Sequence, residues 1–166
     1  MPPDLLVWLV NEWGSAPRAA AGEENAPYPD PAPLGAAGVG HMTEAAGRLH
    51  RIFAAPDLNE RVRLLATLLT DTGVRPTMTL AGSLPGEAWH VDDPRDALLA
   101  SAALTLRHQL AQHDPARIGI CAGQPSLGQH CADAYIDASP GGQRRFCSVT
   151  CQNRARVAAW RSRRSR

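Results

Sequence analysis

The sequence predicts an α+β protein: a mainly helical N-terminal domain that carries one β-hairpin, followed by a small cysteine-bearing module at the C-terminus. Three observations predict it. Apolar residues recur at helical spacing in several windows before Gln112, two extended runs around a Gly/Pro-rich turn interrupt them, and all four cysteines lie after residue 116. A chain of 166 residues accommodates one ordinary domain, or one domain with a small satellite, and excludes two large ones.

The apolar run Leu5, Leu6, Val7, Leu9 and Val10 follows Asp4. Periodicity does not separate helix from buried strand at this length, and helix is the expectation. Asn11, Glu12 and Trp13 then form a helix end on which the Trp packs, with a pocket lining as the alternative. Pro17, Pro27, Pro29, Pro31 and Pro33, interleaved with Gly and Ala up to Gly40, argue against regular structure and for a surface loop over residues 14–40. A helix is expected from Thr43, as N-cap, to Ala55, stopped by Pro56, with Ala46, Leu49, Ile52 and Phe53 on one face. Asp57 caps a second helix with Leu58, Val62, Leu65, Ala66 and Leu69 on one face and Gly73 at its end, so the two make an antiparallel pair. Residues 75–81 and 87–91 flank the turn sequence Gly82-Ser83-Leu84-Pro85-Gly86 and predict the hairpin. Asp93-Pro94 opens a long Ala/Leu-rich helix to about Gln112, the expected centre of the domain's core.

Charge divides the chain more sharply than hydropathy does. Residues 1–116 carry eight Arg against fourteen Asp and Glu, a net of −6, whereas residues 117–166 carry nine Arg against Asp133 and Asp137 alone, a net of +7. No acid occurs from Ser139 onward. All 17 basic residues are Arg, which GC-rich coding would also produce, so the asymmetry carries the argument. No apolar run reaches the roughly 18 residues of a membrane span, so a cytoplasmic protein without a membrane partner is expected. Residues 1–116 contain no phosphate-binding Gly loop, no nucleophile elbow and no His pair at metal spacing, and His41, His50, His90, His108 and His113 are scattered. An enzyme is not expected.

The cysteines Cys121, Cys131, Cys147 and Cys151 are spaced C-x9-C, fifteen residues, C-x3-C. Four thiolates are what a closed tetrahedral zinc site requires, with no position left for catalysis, so one structural Zn2+ is expected. Two disulfides, or His130 replacing Cys131, are the alternatives. Ala134-Tyr135-Ile136-Asp137 and Arg144-Arg145-Phe146 read as short strands around the turn Ser139-Pro140-Gly141-Gly142. A helix over 153–163 follows, capped by Ser148 or Thr150. Knuckle, hairpin and helix in that order make a treble-clef-like module over 117–166, whose own apolar area is small beside the roughly 10–16 kcal/mol of a structural zinc. At 100° per residue from Cys151, Ala155, Ala158 and Ala159 fall on the zinc side of the helix. Arg156 and Arg163 fall on one flank, Arg154 and Arg161 on the other, and Val157 with Trp160 opposite. The Arg-rich face suits nucleic-acid phosphates, while a solvated terminal helix is the plainer reading.

The stretch Phe146-Cys147-Ser148-Val149-Thr150-Cys151-Gln152-Asn153-Arg154, with the Arg-rich tail behind it, resembles the signature of the CGNR zinc-finger family. Tyr135-Ile136-Asp137-Ala138-Ser139 and Arg144-Arg145 are similar to that family's stretch between the cysteine pairs. Gln152 stands at the name-giving Gly, and the last pair is C-x3-C where four intervening residues are commoner. The resemblance implies zinc on Cys121, Cys131, Cys147 and Cys151, with Asn153 in a supporting position behind the ligands. It also implies an N-terminal domain of the ABATE type, compatible with residues 5–112, and a bacterial-type, stress-induced transcription regulator. In that reading Arg144, Arg145, Arg154, Arg156, Arg161, Arg163 and Arg164 contact DNA. The acidic domain over 1–116 senses an unidentified small-molecule effector or forms a homodimer, and is expected to fold when cut off at residue 116. The alternative is a ligand-binding or interaction protein whose zinc finger is purely structural.

Overall fold

A computed structural model describes residues 1–35, 38–123 and 130–164. Among them are six α-helices and two antiparallel two-stranded sheets, an α+β architecture. The expected helix at the N-terminus is α1 (Pro3–Trp13), started by Pro3 in its first turn, where a missing N–H costs nothing. It buries Leu6, Leu9, Val10 and Trp13.

The proline-rich segment is more ordered than its composition suggests. It contains α2 (Ser15–Ala21) and a 3-10 turn (Ala32–Leu34). Pro17 sits in the first turn of α2, the one part of a helix that tolerates it. Arg18 is buried and donates to the carbonyls of Glu12, Glu23 and Ala26. Its guanidinium lies 4.4 Å from the centre of the Tyr28 ring, which stacks on Trp13 at 5.0 Å. One cation thus ties the end of α1 to the backbone that follows α2.

Helix α3 (Val39–Phe53) has Gly38 as its N-cap, five residues before the expected cap Thr43, which lies inside the helix with its hydroxyl on the Gly40 carbonyl. Its face of Met42, Ala45, Ala46, Leu49, Ile52 and Phe53 is buried. Helix α4 (Leu58–Asp71) is capped as expected, the Asp57 side chain accepting from the Glu60 amide at 2.9 Å. Leu65 and Leu68 are its buried residues, while Leu58 and Val62 stay exposed. The hairpin pairs β1 (Arg75–Ala81) with β2 (Leu84–His90). Its turn is only Gly82-Ser83, with Gly82 at φ +67°, a conformation that favours glycine. The expected five-residue turn is thereby shortened, because Leu84, Pro85 and Gly86 pair with Ala81, Leu80 and Thr79. Helix α5 (Ala97–Gln112) follows a 3-10 turn opened by Asp93, and buries Leu99, Ala100, Ala102, Ala103 and Leu106.

The second sheet pairs β3 (Ile118–Ile120) with β4 (Ala134–Ile136). The expected partner of 134–137 was 144–146, which forms no strand. The Arg145 carbonyl accepts instead from Ala122, and the Arg144 amide is taken by the Asp137 carboxylate. The turn at Ser139 closes as expected, Gly142 N–H bonding the Ser139 carbonyl. Ile118, Ala134 and Ile136 belong to the same buried cluster as the residues of α1, α3, α4 and α5. The change of composition at residue 116 therefore crosses a packed surface. Helix α6 (Val149–Arg164) completes the described fold and buries none of its residues. No described helix is long and apolar enough to cross a membrane.

Candidate metal centre

The β3–β4 hairpin brings the first cysteine pair together across a long sequence gap. Cys121 follows β3 directly, and its amide donates to the Asp133 carbonyl at 2.8 Å, extending the ladder one step beyond the strands. Cys131 approaches from the other arm, its amide on the Gly123 carbonyl at 3.2 Å. The two arms of the hairpin thus bring Cys121 and Cys131 to one end of the sheet. Gln124 to Gln129 lie outside the described residues.

The second pair is placed by a helix start. Ser148 is the cap, its Oγ accepting from the Cys151 amide at 3.2 Å, so the expectation of Ser148 or Thr150 resolves to Ser148. Cys151 stands in the first turn of α6, where unpaired N–H groups favour a thiolate. Arg144 ties the approach to this helix, donating from Nε to the Phe146 carbonyl at 2.7 Å and from its terminal nitrogen to the Cys147 carbonyl.

The four Sγ atoms lie within 4.8 Å of one another. A tetrahedral zinc with bonds of about 2.3 Å separates its sulfurs by roughly 3.8 Å. Cys131–Cys147 is 3.8 Å, Cys147–Cys151 3.5 Å and Cys131–Cys151 3.9 Å. All four thiols are unlinked and far beyond the roughly 2.0 Å of a disulfide. His130 is exposed and outside the cluster. The donor set fits one structural zinc ion, held by Cys121, Cys131, Cys147 and Cys151.

Backbone amides complete the shell around the sulfurs. Gly123 and Cys147 each donate an N–H to Cys121 Sγ at 3.3 Å, which stabilises the thiolate form. A Cβ on Gly123 would meet Cys151 Cβ at 3.1 Å and Cys121 Sγ at 3.2 Å, so a side chain there would make the ligating cysteines give by a few tenths of an ångström. Asn153, expected behind the ligands, is exposed on α6. Burial pushes the Cys131 thiol up to about 12 and raises Cys147 too. Burial also opposes ionisation of Cys151, but hydrogen bonds from Cys147 and Ser148 outweigh it and lower that thiol. A metal must therefore displace thiol protons, and its affinity falls as pH falls.

Three contacts outside the cysteines hold the site to the helices, and no motif in the sequence marks them. The Asn11 side chain pairs with β4 like a backbone strand, donating to the Ala134 carbonyl at 3.1 Å and accepting from its amide at 2.8 Å. Of the segment Asn11-Glu12-Trp13, Trp13 packs as expected, while Asn11 docks the module. His50 Nε2 lies 2.8 Å from the Ala132 carbonyl. Arg61 joins the Pro115 carbonyl to those of Ile52 and Phe53.

Of the expected nucleic-acid residues, Arg154, Arg156, Arg161, Arg163 and Arg164 lie on the exposed α6, and Arg145 is exposed beside the knuckle. The Arg164 guanidinium lies over Trp160, 4.5 Å from the ring centre. Ala155 is half-buried, but Ala158 and Ala159 are exposed, so only the first turn of α6 sits against the metal site.

Residues 117–164 match the family model described as CGNR zinc finger. That match covers the whole described metal site and the basic helix, and leaves the first 116 residues outside it. No curated protein matches the chain significantly.

Proposed function

We propose that this zinc finger contacts duplex DNA through α6 and that the chain is a transcription regulator. The observation that carries the reading is a helix of sixteen residues with five arginines, no acid and no buried side chain. A helix with no core to complete and a uniform positive charge suits a phosphate surface. The nearest acid in sequence on its N-terminal side, Asp137, is buried and accepts from the amides of Ser139 and Arg144, and among the described residues it forms no ion pair with the arginines of α6. The ABATE-type resemblance of residues 5–112 extends the proposal to a stress-linked regulator whose acidic domain senses a signal or dimerises. Two basic helices in a dimer would read two half-sites.

If Arg154, Arg156, Arg161 and Arg163 each neutralise one phosphate, log K falls with log[salt] at a slope of about −3.6. Anisotropy titration of the zinc-loaded chain against random duplex DNA measures it. Replacing Arg161 and Arg163 by Ala reduces the slope by about two units and weakens all sequences alike. A second reading rests on Val149, Val157 and Trp160, which are exposed on the same helix and would serve a protein partner. A wild-type chain that ignores DNA at about 50 mM salt, where phosphate contacts are strong, decides for that reading.

A further inference from the structure

We propose that this chain forms a twofold dimer in which the β1–β2 hairpin of each copy lies in a groove between the other copy's hairpin and α5. The hairpin is a bare arm. Every residue of β1 and most of β2 are exposed, and a two-stranded hairpin with no layer beneath it is marginal in water. Cross-strand partners share a face, so the register puts Pro76 with Trp89, Met78 with Glu87 and Leu80 with Pro85 on one side of the arm. That side is apolar except for Glu87, and Met78 and Leu80 on it are 64% and 71% exposed. Seven residues in each strand carry the arm roughly 23 Å from its root.

At the root of the hairpin Val74, Trp89 and Val91 line a groove of about 710 Å³, with Ala100, Leu104 and His108 of α5 across from them. The arm's own apolar side chains do not fill it, because Met78 and Leu80 are exposed and take no part in its lining. One molecule thus carries an apolar projection that continues into an apolar recess. A twofold axis lets each copy fill the other, as an isologous interface requires. Charge favours the same occupant. No acid lines the groove, while His108 does, and the Arg107 guanidinium lies over the Trp89 ring, 5.9 Å from its centre. Glu87 is the one acid of the two strands, and neither it nor Arg107 forms an ion pair among the described residues. The arm therefore brings an unpaired carboxylate to a groove bordered by an unpaired guanidinium. Two Glu87–Arg107 pairs across the axis fix the register, where the net −6 of residues 1–116 would otherwise hold two copies apart.

The inference deepens the dimer part of the regulator reading and rests on it for its purpose, but self-association is measured without DNA. Sedimentation velocity on the full zinc-loaded chain, at about 5 and about 200 µM, should show the mass rising from one chain toward two. Leu80→Asp should remain a single chain at both concentrations. Leu84→Asp, at an equally exposed position of the same tip but on the opposite face, should dimerise like the wild type. Glu87→Arg and Arg107→Glu should each weaken the dimer at least about fivefold, and the two together in one chain should restore it. The proposal is overturned if the wild type stays a single chain at the higher concentration, if Leu84→Asp dissociates it as Leu80→Asp does, or if the charge exchange fails to restore it. Anisotropy of the same proteins with duplex DNA keeps the two readings apart. A single chain that binds DNA removes this interface and leaves the regulator reading standing, whereas a dimer that ignores DNA does the reverse.

Discussion

Helices α5 and α6 are both sixteen residues long, yet one lies inside the protein and the other buries none of its side chains. Five side chains of α5 are buried, against none in α6. α5 forms because Leu99, Ala103 and Leu106 complete a core, so its stability is shared with α1, α3 and α4. α6 completes nothing, and a free helix of that length is marginal in water. Its first turn is fastened by Ser148 and two metal-ligating thiols. The comparison teaches that helices of equal length here depend on different forces, hydrophobic burial for one and a metal knot for the other.

The largest expected effect follows from cutting that knot. A structural zinc is worth about 10–16 kcal/mol, far more than any contact α6 makes by itself. Chelation, or Cys147→Ser, should melt α6 and leave α5 helical, seen as a partial loss of far-UV circular dichroism together with new protease cleavage after the arginines of α6. The rest of the chain should still unfold in a single thermal transition. Collapse of the whole chain would mean that β3 and β4, through Ile118, Ala134 and the Asn11 pairing, carry the metal's contribution into the core. It would also remove the idea that residues 1–116 are an independent unit.

The next effect is smaller and inverts the comparison. Leu106→Ala, at a fully buried position in α5, should cost about 2–5 kcal/mol through lost burial and the cavity left behind. Val157→Ala, at a half-exposed position in α6, should stay within about 0.5 kcal/mol. Urea unfolding of the two variants decides it. A Val157→Ala loss as large as that of Leu106→Ala would show that α6 is packed against something in solution.

What could be read from the sequence depended on whether a force is local. The Asp57 cap, the Ala/Leu-rich run of α5, the four cysteines and a cap at Ser148 or Thr150 each act locally or through one ion, and each left a mark in the residues. The pairing of 134–136 was misassigned because 118–120 is only three residues long, too short for any periodicity, and the neighbouring 144–146 has the same extended look. What takes 144–146 out of the sheet is the Asp137 side chain, which occupies the Arg144 amide. Helix α2 hid behind prolines, since composition does not reveal that Pro17 falls in a first turn. Asn11 was legible as a polar residue at a helix end, but the strand it docks lies more than a hundred residues away.

An effect smaller than that of Leu106→Ala concerns that same Asp137. Its carboxylate is buried, accepting from the Ser139 amide on one oxygen and the Arg144 amide on the other, both near 2.9 Å. The Ser139 side chain and these amides hold it below the ordinary carboxylate range, with Arg117 adding a weaker attraction. A lowered folded-state pKa means the stabilisation is complete above the unfolded value of about 4 and is lost as pH falls through the folded value. Asp137→Asn should therefore cost about 1–3 kcal/mol at neutral pH, because the amide group it introduces turns an N–H toward one backbone N–H. Below the lowered pKa both side chains are neutral, and the gap between wild type and variant should close. Melting both proteins at matched zinc across the acid range isolates the effect, since thiol protonation weakens the metal site in each alike. A gap that stays constant down to the most acid pH would show that the 137–144 turn is held by its backbone geometry and Arg117, with no contribution from the charge.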